Sequence, residues 1–368
     1  MTWVYVGTRR DSGGGGIVAC RMDERGHLAP ARTSSEEEAV FFAAVHPNRR
    51  YLYAASRVRE PGEADGAGGP GATAGEGGYV SAHRIDPVTG ALEPLGRQPA
   101  HGTVPCYVSV TPDGRYLLSV DYNAGVVAMF PIEADGSLLP ACDVHRRQGA
   151  GVHPRRQSGP HGHCVLPDAE GRFAFVADLG TDEIAPYRLD LASGRLEAGV
   201  VPAVKTNPGA GPRHVAFHPN GRLAYVANEI DSTVTAYRHT PGSGRLDPIG
   251  TYSTLPAGVA PENTCADIRV HPNGRFVYVS NRGHDSIAAF AIDPGSGGLT
   301  PAGHTPARGA VPWSLALTSD GAFMCVANFR SNAVAVFSVD RESGGLTPVG
   351  NPVTVPGATC IAIVSPGA

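Results

Sequence analysis

The chain has 368 residues, a formal net charge of −4, 48 glycines and 32 prolines. Glycine and proline make up more than a fifth of it, against about 12% in an average protein, and no G-X-Y period runs through them. Collagen is therefore excluded, as is an ordinary helical enzyme. A hydrophobic share of 42% speaks against disorder, and the acidic balance points away from nucleic-acid and membrane surfaces.

The first predicted strands, WVYVG and GIVACRM, lie within Thr2–Asp23. Arg9-Arg10 stands between them, but the Gly-rich run that follows is no signal-peptide core. From here on the chain repeats itself. Cys106–Pro131 reads CYVSVTPDGRYLLSVDYNAGVVAMFP, Arg213–Arg238 reads RHVAFHPNGRLAYVANEIDSTVTAYR, and Ala266–Ile292 reads ADIRVHPNGRFVYVSNRGHDSIAAFAI. Each is an alternating strand, a P-[ND]-G-R turn, a second strand, a polar loop and a third strand. A further turn with Gly and then Leu follows, as in Gly242–Leu246 and Gly295–Leu299. Asn-Gly or Asp-Gly between alternating runs is a strong hairpin signal.

The turn glycine falls at 114, 171, 221, 274 and 321, with Arg49 in its place in the first copy, so the steps are 65, 57, 50, 53 and 47 residues. The long first step holds the Gly/Ala/Glu-rich stretch Pro61–Gly78, read as a flexible loop insertion over residues 58–78. Six copies are plain. Both termini supply leftover strands, Thr359–Val364 at the C-terminal end. The expected fold is all-β: a seven-bladed β-propeller of four-stranded antiparallel blades. Its ring closes where N- and C-terminal strands share one blade, and residues 1–368 form a single domain. Two β-sandwich domains would leave the regular turn period unexplained.

The turn is also a ruler. Residues equally far before and after it sit side by side at the open end of the hairpin. Eight after it stand Arg57, Tyr122, Leu179, Glu229, Arg282 and Phe329. Eight before it stand Phe41, Cys106, His163, Arg213, Ala266 and Trp313, and seven before it come Tyr107, His214 and Asp267. The turn end is the same in every copy, whereas this mouth varies, so the mouth is the expected site. Arg213 with Glu229, and Arg282 with Asp267 one blade on, read either as cross-strand ion pairs or as an anion-binding, acid–base cluster. His161 and His163 would share a face if extended, and read as turn caps or as acid–base groups; a metal site has no supporting spacing. His46, His218 and His271 recur with the turns and are expected to be structural. Trp313 and Phe329 form a pocket wall or plug the channel. Seven scattered cysteines without a C-x-x-C spacing suggest neither a disulfide framework nor a zinc site, and Cys106 and Cys164 read as filler.

These motifs resemble those of the cofactor-free seven-bladed propeller lactonases, a family that includes propeller-type 6-phosphogluconolactonases and carboxy-cis,cis-muconate cyclases. The resemblance covers nearly the whole chain. It is most specific in PHGHCV (160–165), VADLGTDEI (176–184), GPRHVAFHPNGRLAYVANE (211–229) and IRVHPNGRFVYVSNRGHDSI (268–287). It implies catalysis without cofactor or metal in the central cleft, by the histidine of the PHGH motif (His161 or His163), Arg213, Glu229 and Arg282. Arg57, Tyr122, His214, Asp267, Trp313 and Phe329 are the candidate substrate contacts. Departures from the pattern are Asp267 for a usual Glu, Ser56-Arg57 for an Asn-Glu pair, and Asp121 for an Asn. The expectation is hydrolysis of a small anionic sugar lactone, with Glu229 as general base. Lactone formation from a carboxylate, or non-catalytic ligand binding, are the alternatives. A cytoplasmic monomer or weak homodimer that binds neither nucleic acid nor membrane completes the reading.

Overall fold

The computed structural model describes residues 2–9, 13–29, 32–35, 37–58, 77–259 and 262–365. Seven antiparallel sheets follow one another around a ring. Blades 1 to 6 span residues 39–99, 105–146, 162–205, 212–253, 264–306 and 312–354. Blade 7 is composite: Thr2–Thr8, Gly16–Met22 and Arg32–Ser35 are its outer strands, and the C-terminal Ala358–Val364 is its innermost. Trp3–Thr8 pairs with Ala358–Val364 and so closes the ring. Thr2–Thr8 is thereby paired on both sides, with Ala358–Val364 and with Gly16–Met22, and is not left as a free edge. Blade 3 adds a two-residue fifth strand, Val204–Lys205, beside Glu183–Ile184. Most of the 58–78 insertion lies outside the described residues; Gly78, placed in it by composition, is instead the first residue of the strand Gly78–Ile85, opposite Arg57.

The two recurrent turns stitch each blade to the one before it. At the inner turn, His46, His218 and His271 each donate Nε2–H to the carbonyl of the next blade's turn glycine: Gly114 at 2.9 Å, Gly274 at 2.8 Å and Gly321 at 3.0 Å. Their Nδ1 atoms accept the backbone N–H of Asn48, Asn220 and Asn273. The recurrent histidines thus hold blades together, as their period implied. At the outer turn, the hydroxyls of Tyr5, Tyr53, Tyr225 and Tyr278 donate to the carbonyls of Gly90, Gly136, Gly297 and Gly344 in the following blade. The first residue of each second strand also packs flat on that outer turn. A methyl at Gly136 would come within 2.3 Å of Tyr51, one at Gly244 within 2.6 Å of Phe173, and one at Gly344 within 2.5 Å of Phe276. Between blades the apolar alternation of the strands is buried, as in Leu52, Leu117, Phe175, Val226, Val279 and Val326.

Each innermost strand has one residue more than its partner can pair. In blade 4, Pro212 pairs with Asn228 and His214 with Ala227, which leaves Arg213 over. Cys106, His163 and Trp313 are left over in the same way, as are Phe41 in blade 1 and Thr359 in the closing strand. Blade 5 steps from Cys265 to Ile268 against Asn281 to Val279. A β-bulge of this kind bends the strand and re-aims a side chain.

The turn glycines separate backbone strain from crowding. Gly221 has φ +67° and nothing within 4 Å of a added Cβ, whereas a Cβ on Gly274 (φ +73°) would lie 2.6 Å from the His218 ring. Gly221→Ala is expected to cost about 1 kcal/mol, the left-handed backbone penalty alone. Gly274→Ala should cost clearly more, because it also breaks the His218 hydrogen bond. Chemical denaturation of both variants checks the order.

Candidate active site

The leftover residues and the residues ending the second strands meet at one mouth. Its centre is the Glu229 carboxylate. Oε2 lies 2.9 Å from Arg213 Nε, 2.8 Å from Arg282 Nη2 and 4.0 Å from His163 Nε2. Oε1 accepts a hydrogen bond from Arg156 Nη2. Three guanidiniums thus surround one buried carboxylate. Burial alone would raise the Glu229 pKa; Arg282 and Arg213 above all, with Arg156 added, outweigh it and hold the acid well below the usual carboxylate range. The cluster is left with an excess of two positive charges.

Two of these arginines are fixed from behind. Arg213 Nη1 donates to the carbonyl of Ala266 at 2.6 Å, and Arg282 Nη2 to that of Cys265 at 2.9 Å. Both carbonyls belong to the stepped stretch of the blade 5 inner strand, so the bulge presents acceptors as well as side chains. A second Arg213 bond, Nη1–H to His214 Nε2 at 3.0 Å, fixes the tautomer of that ring: Nδ1 carries the proton and donates to Asp267 Oδ1 at 2.9 Å. Burial and then Arg213 push the His214 pKa down to about 4, so the ring is neutral.

Asp267 differs from its expected place. It does not pair with Arg282, which turns back one blade to Glu229. Its carboxylate is fully buried and also accepts from Arg269 Nη2, Ser314 Oγ and the Leu315 N–H at 2.9–3.1 Å. Arg269, two residues along the same strand, satisfies it locally. Asp267 and His214 therefore stand under the site as its supports. The stacked pair Phe42 and Tyr107 (3.8 Å) lies beside His214, the two rings edge-on to it at 5.8 and 5.0 Å.

The two histidines of the PHGH motif flank Tyr122. His161 stacks on its ring at 4.5 Å, and His163 meets it edge-on at 5.4 Å. The His161 backbone N–H is held by Asp178 Oδ1, and its Nδ1–H donates to the Tyr122 carbonyl. His163 is the leftover residue of blade 3. Burial and then Arg213 push its pKa well below 6.5, against the pull of Glu229, so it too is neutral at pH 7. His163 Nδ1, Glu229 Oε2, Arg213 Nε and Arg282 Nε are buried without an aligned hydrogen-bond partner. Four such atoms, one on each of the four residues of a single cluster, mark it as a candidate ligand site.

Around this centre the mouth is aromatic and cationic. Trp313 and Phe329 pack edge-on at 4.9 Å, and Arg282 lies 5.4 Å over the Trp313 ring. Both rings are half-buried. Arg57 lies over Phe41, and Arg9 over both Phe41 and Phe329. Leu179, fully buried, contributes no polar group. All seven cysteines are free, and burial pushes the Cys164 thiol up to about 12, in keeping with filler. Among the described residues, no group of three or more His, Cys, Asp or Glu side chains is placed to hold a metal ion.

Sequence reasoning missed Arg156, Arg9 and Thr359. Arg156 lies on the crossing from blade 2 to blade 3, which runs over 147–161, while the crossings into blades 2 and 6 cover only 100–104 and 307–311. The 57-residue turn step was its one trace in the sequence.

The seven-bladed β-propeller lactonase family model matches residues 3–363. The chain belongs to that family. It is 34% identical over 299 residues to the 6-phosphogluconolactonase of Bacillus subtilis, covering 80% of this chain and 79% of that one. The 6-phosphogluconolactonase of Pectobacterium carotovorum is 32% identical over 79% of this chain and 78% of its own. Among solved structures, the periplasmic gluconolactonase PpgL of Pseudomonas aeruginosa superposes with a TM-score of 0.89 at 31% identity, over 99% of both chains.

The buried charges of this lactonase make its stability depend on pH. In the unfolded chain a histidine protonates near 6.5, whereas His214 in the folded protein does so only near 4 and His163 also resists protonation. The unfolded state therefore binds more protons as pH falls below about 6.5. Glu229 and Asp267, both depressed, extend the loss below about pH 4.5. Lowering the pH from 7.5 to 5 is expected to cost about 2 kcal/mol through His214 alone, measured as a shift in the denaturant midpoint; a midpoint that is flat or rises on acidification contradicts this charge assignment.

Proposed function

We propose that the mouth hydrolyses an anionic sugar lactone. The observation that carries this reading is the buried Glu229 carboxylate, ringed by Arg156, Arg213 and Arg282 and set against the neutral His163. Ester hydrolysis needs a base for water, positive charge where the oxyanion forms, and a proton for the leaving alkoxide. An excess of cations over carboxylates favours a substrate that brings its own negative charge. The relatives named 6-phosphogluconolactonase and gluconolactonase make phosphorylated and plain gluconolactone the substrates to test.

In this reading His163, not Glu229, takes the proton. A carboxylate neutralised by three guanidiniums is a weak base, whereas the neutral imidazole has its Nδ1 unpaired. Glu229 orients the ring and stabilises the imidazolium once it forms, the part a carboxylate plays beside histidine in hydrolytic triads. Their 4.0 Å separation is loose enough to tighten on substrate binding. Water attacks the lactone carbonyl as His163 accepts its proton. Arg213 and Arg282 stabilise the resulting oxyanion, the ring C–O bond breaks, and the imidazolium returns the proton to the alkoxide. The product is the open hydroxy acid. His161, its Nδ1–H bonded to the Tyr122 carbonyl and its ring stacked on Tyr122, holds the substrate's hydroxyls through Nε2, and Trp313 and Phe329 cover its apolar face.

His163→Asn is expected to lower kcat about 10²–10⁴-fold, and Arg282→Ala about 10²-fold, in steady-state hydrolysis of 6-phosphogluconolactone and gluconolactone. Wild-type kcat/KM should stay flat as pH falls through 6.5 and drop only at more acid pH, as the depressed His163 protonates. Unchanged kcat/KM in both variants on every lactone the protein accepts would falsify the assignment.

A further inference from the structure

Arg156 differs from the other two guanidiniums around Glu229 in the way it is held. Arg213 and Arg282 are tied to backbone carbonyls of blade 5, and their side chains are 2% and 13% exposed. The Arg156 side chain is 37% exposed and bonds to another side chain, the Glu229 carboxylate. It is thus the guanidinium that faces the opening, and its partner is a carboxylate, a group that an anionic ligand can replace.

The loop that carries Arg156 is a built element. Its neighbour Gln157 is 1% exposed and pins the crossing to blade 3: Nε2 donates to the Leu179 carbonyl at 2.8 Å and to Asp182 Oδ1 at 2.7 Å. Gln157 Oε1 accepts the His153 N–H, and the His153 carbonyl accepts the Gln157 N–H. The His153 ring nitrogen Nδ1 accepts the Arg156 N–H at 3.2 Å. The Arg156 backbone is therefore fixed, while its long side chain reaches the mouth from outside the ring of blades.

We propose that Arg156 is the substrate-anion receptor, a clamp that closes on Glu229 in the free protein and exchanges that carboxylate for the phosphate or remote carboxylate of the bound lactone. The inference rests on the lactonase reading for its choice of probes. The exchange keeps the guanidinium paired, so a planar fork that is bidentate toward phosphate is retained at little electrostatic cost. It also relieves Glu229 of one of its three cations at the moment a substrate arrives, which leaves the carboxylate freer to support the imidazolium of His163. Neutral lactones cannot make the exchange, so Arg156 sets the preference for anionic ones.

The test compares the full-length wild type with Arg156→Ala, Arg156→Gln and Arg155→Ala. Binding of 6-phosphogluconate and of gluconate is measured by calorimetry, and hydrolysis of the two parent lactones in parallel. The expected result is selective. Arg156→Ala and Arg156→Gln lower the ratio of 6-phosphogluconate to gluconate affinity about tenfold or more, and raise KM for the phosphorylated lactone relative to the plain one by a matching factor. Arg155→Ala, an exposed neighbour on the same loop, changes neither. Equal weakening of phosphorylated and plain ligands overturns the proposal, as does a wild type that binds 6-phosphogluconate no tighter than gluconate. Selective loss of binding in a protein that turns over neither lactone overturns the lactonase reading and leaves the receptor in place. The Gln variant keeps most of the side-chain length, so an unstable Ala variant does not decide the outcome.

Discussion

Each inner strand of this propeller carries one residue more than its neighbour can pair, and the chemistry of the molecule depends on that mismatch. In a regular hairpin the side chains at the open end alternate between the two faces of the blade. The bulge breaks the alternation at the same level in blade after blade and presents Cys106, His163, Arg213 and Trp313 at one mouth. It also leaves the carbonyls of Cys265 and Ala266 as acceptors for Arg282 and Arg213. The same irregularity therefore supplies both the functional side chains and the anchors that hold them. The closing strand follows the rule: Thr359, its leftover residue, donates to the Gly7 carbonyl at 2.9 Å.

Around that frame the electrostatics have a simple order. Burying a carboxylate is costly unless cations replace its water, and three guanidiniums do so for Glu229. They overcompensate. Burial first, and then Arg213, depress His163 and His214, so the site holds imidazoles that are neutral at pH 7 and a carboxylate that is firmly ionised. Beneath it, Asp267 receives a proton donor from His214 and others from blades 5 and 6, which locks the ring that in turn accepts from Arg213. The support for the site is a hydrogen-bonded column running from Asp267 up to Glu229.

Much of this was legible along the chain. The P-[ND]-G-R turn marked six blades, and counting eight residues to either side of it named Arg213, Glu229, Arg282, His163, Trp313 and Phe329, all of which meet at the mouth. The count worked because a repeat puts equal sequence distances at equal heights. It worked less well where a side chain has a closer partner: Asp267 was matched with Arg282 by position, but Arg269 and the backbone of the next blade reach it first. Arg156 escaped the count because it lies in a crossing between blades, where no period holds. In the proposed mechanism His163 rather than Glu229 is the base, since basicity depends on how many cations face a carboxylate, and two of its three come from outside its own blade.

By itself, the sequence determined the number of blades, the closure by both termini and the end of the barrel that varies. All three follow from local signals: strand alternation, turn residues with φ above zero, and a fixed period. Only the tertiary structure decided which charges meet, which histidines stay neutral and which arginine faces the opening. Those properties depend on distances between blades and on exclusion of water, and neither quantity is written in the spacing of residues along one chain.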